Sequence, residues 1–256
     1  MQSDTVAPRT SASTSRTLTT PWRFYDKIQG DRTAQLEYLR AVLRTSHPAA
    51  NSVLELACGT GELLRVLRSE YTVEGVDVSP AMLEIAARKL GSVPLHLADI
   101  TTVALGRTFD VVLCAHDSLN HLERFGDWEA VFDRALEHLE PGGIFVFDMN
   151  TQSRLAELTA SATVARWCGA DDLVAFDVSR DDLSTVWSVR FFERVSPSAY
   201  TLHTREIREV SFPVADVRVS LERRFRSVRL IDPERSRPSS RTARAHFVCR
   251  ARSVRR

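Results

Sequence analysis

The stretch Cys114-Ala115-His116-Asp117-Ser118-Leu119-Asn120-His121-Leu122 carries the richest proton chemistry in the chain. It sets two imidazoles, a carboxylate and an amide within a few residues. A histidine can take a proton near neutral pH, which is worth typically about 10²–10⁴-fold in rate. A second set of residues suits a ligand rather than a reaction. Val53-Leu54-Glu55-Leu56-Ala57-Cys58-Gly59-Thr60-Gly61-Glu62 is a short apolar run that ends in a carboxylate and a glycine turn. Gly59 and Gly61 let backbone pass close to a ligand with no Cβ in the way. A helix starting near Gly61 points its unpaired N–H groups at the same place. Val73-Glu74-Gly75-Val76-Asp77 then ends in an acid, which can accept two hydrogen bonds from a ribose diol. A lone glycine turn is weak evidence, but the turn and the strand-end acid in register point to a nucleotide.

These groups need elements to position them. Leu63, Leu64, Val66 and Leu67 follow the turn with helical spacing, so the unit reads strand, tight turn, helix. Ser79-Pro80 opens the next helix with an N-cap and a first-turn proline. Pro94-Leu-His-Leu-Ala98 is a third strand and Phe109–Cys114 a fourth. A helix over Asp127–Leu139 carries Trp128, Val131, Ala135 and Leu139 along one side and stops at Pro141-Gly142-Gly143. Ile144-Phe145-Val146-Phe147 begins a fifth, buried parallel strand, and Asp148 and Asn150 emerge at its carboxyl end; Asn150 is expected to cap the helix that follows. Ligands of an open parallel sheet meet the carboxyl ends of its strands near the switch point. The histidine loop therefore borders both a bound nucleotide and whatever reacts with it.

The dinucleotide fingerprint wants a third glycine where this chain has Leu64, which disfavours a nicotinamide dehydrogenase. No Lys-Ser/Thr pair follows the glycines, so a P-loop is excluded. What remains, Glu55-Leu-Ala57-Cys-Gly59-Thr-Gly61, resembles motif I of the class I S-adenosylmethionine-dependent methyltransferases, with Ala57 in place of the first glycine. The resemblance continues in order through Gly75-Val-Asp77-Val-Ser79-Pro80-Ala-Met82, Ala98-Asp99-Ile100, Phe109-Asp110-Val-Val-Leu-Cys114 and Leu139-Glu-Pro141-Gly142-Gly143. It covers residues 22–160 well and the remainder loosely. The resemblance implies an α/β, Rossmann-like doubly wound seven-stranded sheet with the last strand antiparallel, and S-adenosyl-L-methionine as cofactor with no metal. Its implied cofactor contacts are Tyr25, Glu55, Ala57, Gly59, Gly61, Asp77, Val78, Met82, Asp99, Ile100 and Cys114. Met82 would pack on adenine (an ordinary core methionine is the plainer account). Asp99 would accept the adenine amino group, and Ile100 would lend the ring a backbone N–H. Tyr25 stands in Trp22-Arg-Phe-Tyr-Asp-Lys-Ile-Gln-Gly30. Related enzymes fold such a stretch over the cofactor as a lid; packing its aromatics on the core is the alternative, and the two are compatible.

His116 and His121 are the catalytic candidates. The loop resembles a subgroup with Asp-Ser-Leu-Asn-aromatic/His-Leu, and the position of His121 is often histidine across many such enzymes whatever the substrate. That favours a structural or cofactor-side role for His121 and leaves His116 as the better acceptor-facing group. From Thr163 to Leu221 apolar and polar residues alternate, which reads as antiparallel strands inserted after strand five. The expected organisation is a disordered Ser/Thr-rich tail over residues 1–20, a cofactor-binding core over 21–162, a β-rich substrate cap over 163–221, and the last core strands over 222–256. Asp117, Asp148, Trp167, Trp187, Tyr200 and His203 are the candidates for acceptor contact, although for each cap residue sheet packing or solvent is the plainer account.

A chain of 256 residues accommodates one large α/β domain with an insertion. Its formal charge of +1 gives no electrostatic case for nucleic acid. Cys58, Cys114, Cys168 and Cys249 show no paired spacing for zinc, and a reduced cytoplasmic enzyme is the simplest account. No run approaches a membrane span. The reading is therefore methyl transfer to nitrogen or oxygen of a small molecule, secondary metabolites included, by a monomer or homodimer. Two rivals stand beside it: an RNA methyltransferase using the C-terminal arginines, and a non-catalytic S-adenosylmethionine-binding scaffold. Against the RNA reading, there is no Asn/Asp-Pro-Pro-aromatic motif and no appended RNA-binding module.

Overall fold

A computed structural model describes residues 24–182, 184–235 and 237–253; the expected tail and Trp22 lie outside them. Helices α1 (Tyr25–Gln29) and α2 (Thr33–Ser46) precede β1 (Ser52–Leu56), α3 (Glu62–Leu67), β2 (Thr72–Asp77), α4 (Pro80–Leu90), β3 (Leu95–Leu97) and β4 (Phe109–Cys114). A 3-10 turn over Ser118–His121 leads to α5 (Phe125–Glu137), β5 (Leu139–Asn150) and α6 (Gln152–Thr159). The chain continues through β6 (Val164–Cys168), β7 (Asp172–Asp181), β8 (Ser184–Ser196), β9 (Ala199–Glu209), α7 (Val214–Arg224), β10 (Ser227–Ile231) and β11 (Arg244–Arg250).

The larger sheet has seven strands in the order β10-β11-β5-β4-β1-β2-β3. Only β11 runs against its neighbours, antiparallel to both β5 and β10. Alternation along each central strand divides the side chains between two cores. Leu54, Leu56, Val112, Cys114, Phe145 and Phe147 face Trp128, Val131 and Phe132 of α5 and Val217 and Leu221 of α7. Val53, Val111, Leu113, Ile144 and Val146 face α2, α3 and α4 through Leu43, Leu64, Leu67, Ala86 and Leu90. The strand order turns back between β1 and β4, and this is where the glycine turn and the histidine loop meet.

Leu64, which stands where a dinucleotide fold wants glycine, packs against a glycine on the strand instead. A Cβ on Gly75 would lie 2.7 Å from both Leu64 Cδ1 and Cys58 Sγ. The close helix–strand approach is kept, with the small residue moved from α3 to β2.

The inserted sheet, β6-β7-β8-β9, is an antiparallel meander. Its inner face forms a third core of Cys168, Val174, Val189 and Phe191 with Phe24. This cap sheet ends at Glu209, earlier than the expected boundary at 221. Phe212-Pro213 breaks the strand, and Val214, Val217 and Leu221 then repeat with helical spacing. The resulting α7 packs on α5 of the main domain, with Arg224 Nε 2.6 Å from Asp133 Oδ1 and Ser220 Oγ 2.8 Å from Glu129 Oε1. Asn150 does not cap α6. The cap is Thr151, whose Oγ1 accepts the Arg154 N–H at 3.3 Å, because Asn150 is still within β5 and its side chain is committed elsewhere.

Candidate active site

The turn after β1 bends through left-handed backbone at Ala57 (φ 57°), Gly59 (φ 55°) and Gly61 (φ 76°). A Cβ on Gly59 would meet no atom within 4 Å, so the turn opens onto free space. Asp77 sits beneath it: Oδ2 accepts the Gly59 N–H and Oδ1 the Ser79 N–H, each at 2.8 Å. Burial pushes the Asp77 carboxyl up while these backbone donors pull it down. Each oxygen keeps a further lone pair for a diol. Val78 stands beside it with 68% of its surface exposed, an apolar side chain with little protein cover. Met82 and Ile100 are buried nearby in the chain, and Cys114 is fully buried at the end of β4. Asp99 Oδ1 accepts Thr101 N–H at 2.8 Å and its hydroxyl at 2.7 Å.

Glu55 is buried and its Oε2 has no hydrogen-bond partner. Burial raises its carboxyl to about 8, against the pull of Arg32 and a backbone N–H from Leu64. Arg32 in turn has a buried Nε with no partner. An unsatisfied carboxyl and an unsatisfied guanidinium thus lie within Coulombic reach of each other. Arg32 escaped sequence reasoning because nothing but its position just past the Tyr-Asp-x-Ile stretch marks it.

Helix α1 straps the two sheets together. Asp26 Oδ1 accepts the Thr60 hydroxyl at 2.6 Å, and Oδ2 pairs with Lys89 of α4 at 2.5 Å. On the cap side, Lys27 pairs with Asp172 at 2.9 Å and Phe24 stacks on Phe191 with ring centroids 4.2 Å apart. The aromatic packing expected of this segment is present in the Phe24–Phe191 stack on the cap core.

A cavity of about 810 Å³ lies between α1, α2, the histidine loop, the ends of β5 and β11, and the cap sheet. Tyr25, His116, Asp117, His121, Asp148 and Trp187 line it. A smaller apolar recess of about 50 Å³ under α1 is lined by Tyr25, Phe191 and His203. Trp167 (61% exposed) and Tyr200 (44% exposed) line neither. Trp167 faces solvent because its neighbour Cys168 takes the inward side of β6, and Tyr200 lies beside the β8–β9 turn.

His116 has φ 61°, and its Nε2 is buried without a partner. Burial, helped by Arg32, lowers its pKa to about 4. The ring is therefore neutral at physiological pH, a hydrogen-bonding group and a weak base. His121 Nδ1 lies 3.2 Å from the Arg208 carbonyl; a carbonyl only accepts, so Nδ1 carries the proton and Nε2 is the basic site. Behind the histidines, Asp148 accepts the N–H groups of His116 (2.7 Å) and Asp117 (3.1 Å). Arg244 pairs with both Asp148 and Asp117 at 2.6 Å. Glu209, at the end of β9, is buried against Asn150 Nδ2 at 3.1 Å. Neither Arg244 nor Glu209 is singled out by the sequence: one stands among many arginines, the other in an alternating strand.

Residues 53–143 match the model of a methyltransferase domain family. The chain is 37% identical over 129 residues to the dTDP-4-amino-2,3,4,6-tetradeoxy-D-glucose N,N-dimethyltransferase of Saccharopolyspora spinosa, an alignment covering 48% of the chain and 52% of that protein. It is 32% identical over 213 residues to the dTDP-3-amino-3,4,6-trideoxy-alpha-D-glucopyranose N,N-dimethyltransferase of Streptomyces venezuelae, covering 81% of the chain and 79% of that relative. The chain belongs to the S-adenosylmethionine-dependent methyltransferases. It spans about half the length of the first of these relatives. The crystal structure of a sugar N-methyltransferase from a Streptoalloteichus species superposes with a TM-score of 0.77 at 24% identity, covering 98% of this chain and 100% of that one, which shows the shared fold.

The methyltransferase site fits S-adenosylmethionine on its own chemistry. The free space over Gly59, the carboxylate of Asp77 and the exposed Val78 suit a nucleoside. The unsatisfied Glu55 Oε2 and Arg32 Nε match the ammonium and carboxylate of an amino-acid end.

Proposed function

We propose that this methyltransferase transfers a methyl group to the amine of an amino sugar carried on a nucleotide. The observation that carries this reading is where the unsatisfied polar groups fall. Tyr38, His116, Trp187 and His246 each hold a buried nitrogen or oxygen without a hydrogen-bond partner, and all four line the same cavity. A buried polar atom left unpaired costs about 1–3 kcal/mol, so such a cluster is built for a ligand rich in donors and acceptors, as a sugar is. The volume of about 810 Å³ is ample for a nucleotide-linked sugar. The relatives above are named for dimethylation of amino sugars on dTDP.

Bound S-adenosylmethionine supplies a methyl already activated by positive sulfur. The chain has to hold the acceptor in line with it at about 3–3.5 Å and keep water out. Asp77 and the Gly59 turn would hold the nucleoside and Arg32 and Glu55 the amino-acid end, with Tyr25 of α1 within Coulombic reach of Arg32 and Asp77. A hydroxyl acceptor would need a base, and His116, held at about 4, would be a weak one. An amine needs only to be neutral when it attacks.

The test is incubation of the protein with S-adenosylmethionine and dTDP-3-amino-3,4,6-trideoxy-alpha-D-glucopyranose, followed by mass spectrometry. One or two added methyl groups on the sugar nitrogen are expected. Binding of S-adenosylhomocysteine without methylation of this or related amino sugars would overturn the acceptor class; absence of that binding would overturn the methyltransferase reading itself.

A further inference from the structure

The cavity floor carries an uneven charge balance. Five carboxylates (Asp117, Asp148, Glu157, Glu209, Glu234) and four guanidiniums (Arg32, Arg154, Arg166, Arg244) line the cavity, and of the guanidiniums Arg244 is the one that acts on Glu209. Its guanidinium is spent on Asp148 through Nη1 and on Asp117 through Nη2. Among the described residues Glu209 has no ion pair, and the one hydrogen bond to its carboxylate is from the neutral amide of Asn150 to Oε2. The residue is 5% exposed, yet it lines the cavity. A buried carboxylate without a counter-ion is costly unless a cation arrives or a proton does.

We propose that Glu209 is the subsite for the acceptor's ammonium group and the base that removes its proton. The inference rests on the amino-sugar reading and gives it a residue. An O–H bond forms on Glu209 as an N–H bond of the ammonium breaks, leaving the electron pair on nitrogen. That pair forms the new C–N bond while the C–S bond of the sulfonium breaks, its electrons passing to sulfur. The methylated product is again an ammonium, and the proton on Glu209 must leave before a second round.

Charges facing Glu209 come from every side of the floor: Asp117 from the loop, His121 from the 3-10 turn and Arg244 from β11, with the amide of Asn150 from β5. Burial and the Asp117 charge raise its carboxyl above the ordinary value. That brings it nearer the range of an amine, which eases proton transfer. His121, exposed and within Coulombic reach of Glu209, lines the same cavity.

The test uses the full chain loaded with S-adenosylhomocysteine and two probes. One is the amino-sugar nucleotide named above; the other carries a hydroxyl in place of the amine. Calorimetry on the wild type near neutral pH should show the amine bound roughly 10- to 100-fold more tightly, as a charge-assisted hydrogen bond implies. In Glu209→Gln that preference should vanish while S-adenosylhomocysteine affinity is kept. Turnover by Glu209→Gln should fall about 100-fold or more near neutral pH and recover above the amine's own pKa, and Glu209→Asp should restore part of the neutral rate. No preference for the amine in the wild type overturns the proposal, as does a Glu209→Gln variant that keeps it. A rate loss that does not change with pH overturns the role as base. Failure of the methyltransferase reading would show separately, as loss of S-adenosylhomocysteine binding by the wild type.

Discussion

Arg244 holds the histidine loop by its two ion pairs, and the loop's backbone is folded onto the same carboxylate. Asp148 receives the His116 and Asp117 N–H groups on one side and the guanidinium on the other, and its carboxyl is held below the ordinary range, with Arg244 the largest of the influences opposing its burial. Two residues in left-handed backbone, His116 and Asp117, are kept there by these bonds. Arg244→Met should leave two carboxylates without a counter-charge and cost about 3–5 kcal/mol of stability, read as a lowered urea midpoint. It should also lower turnover, since the loop that carries both imidazoles is freed. A loss below about 1 kcal/mol would place these pairs with ordinary surface ion pairs.

At the scale of elements, the strap and the first βαβ unit decide whether a ligand is enclosed. Helix α1 is only five residues long and has little stability of its own, so its position depends on its latches. Asp26→Ala removes the bond to Thr60 and the pair with Lys89, together worth about 1–2 kcal/mol. Amide exchange over residues 25–29 should quicken, and S-adenosylhomocysteine should bind roughly tenfold more weakly. Unchanged exchange would show that the cap contacts alone hold α1. In the βαβ unit, Gly75→Ala drives a methyl to within 2.7 Å of Leu64 and Cys58. Overpacking of this kind costs about 1–3 kcal/mol, and a denaturant midpoint at the wild-type value would contradict so close a contact between α3 and β2.

For the whole molecule, the buried site groups set a pH dependence of stability. Glu55 has its pKa raised from 4.5 to about 8. Between those values the folded protein binds more protons than the unfolded chain, so Glu55 makes stability fall as pH rises, by about 1.4 kcal/mol per pH unit at most. His116 has its pKa lowered from 6.5 to about 4; there the unfolded chain binds more protons, and stability is lost as pH falls through that window. From 4.5 to 6.5 the two oppose each other, and from 6.5 to about 8 Glu55 is unopposed by His116. The urea midpoint should therefore decline on the alkaline side of 6.5 and flatten near 8, and Glu55→Gln should remove that decline. S-adenosylhomocysteine should flatten it too, because an ammonium beside Glu55 favours the ionised form. A midpoint independent of pH over this range would mean that Glu55 is ionised when folded.

What could be read from the sequence was what is local along the chain. The glycine turn, Asp77 six residues into a strand, and the histidine loop at the end of β4 each follow from a short pattern that one element satisfies. The seven-stranded sheet with its last strand antiparallel followed from the resemblance those motifs carry. Long-range partners left no such mark. Arg244 looks like any other arginine of a basic C-terminal stretch until antiparallel pairing of β11 with β5 sets it opposite Asn150 and beside Asp148. Glu209 reads as one polar position of an alternating strand until β9 ends against the floor of the main sheet. Trp167 and Tyr200 looked equal to Trp187 as lining residues, because alternation shows that a strand has two faces but not which face meets the cavity. Only packing decides that, and here it was decided by α1, which covers one side of the cap sheet and leaves the other to solvent.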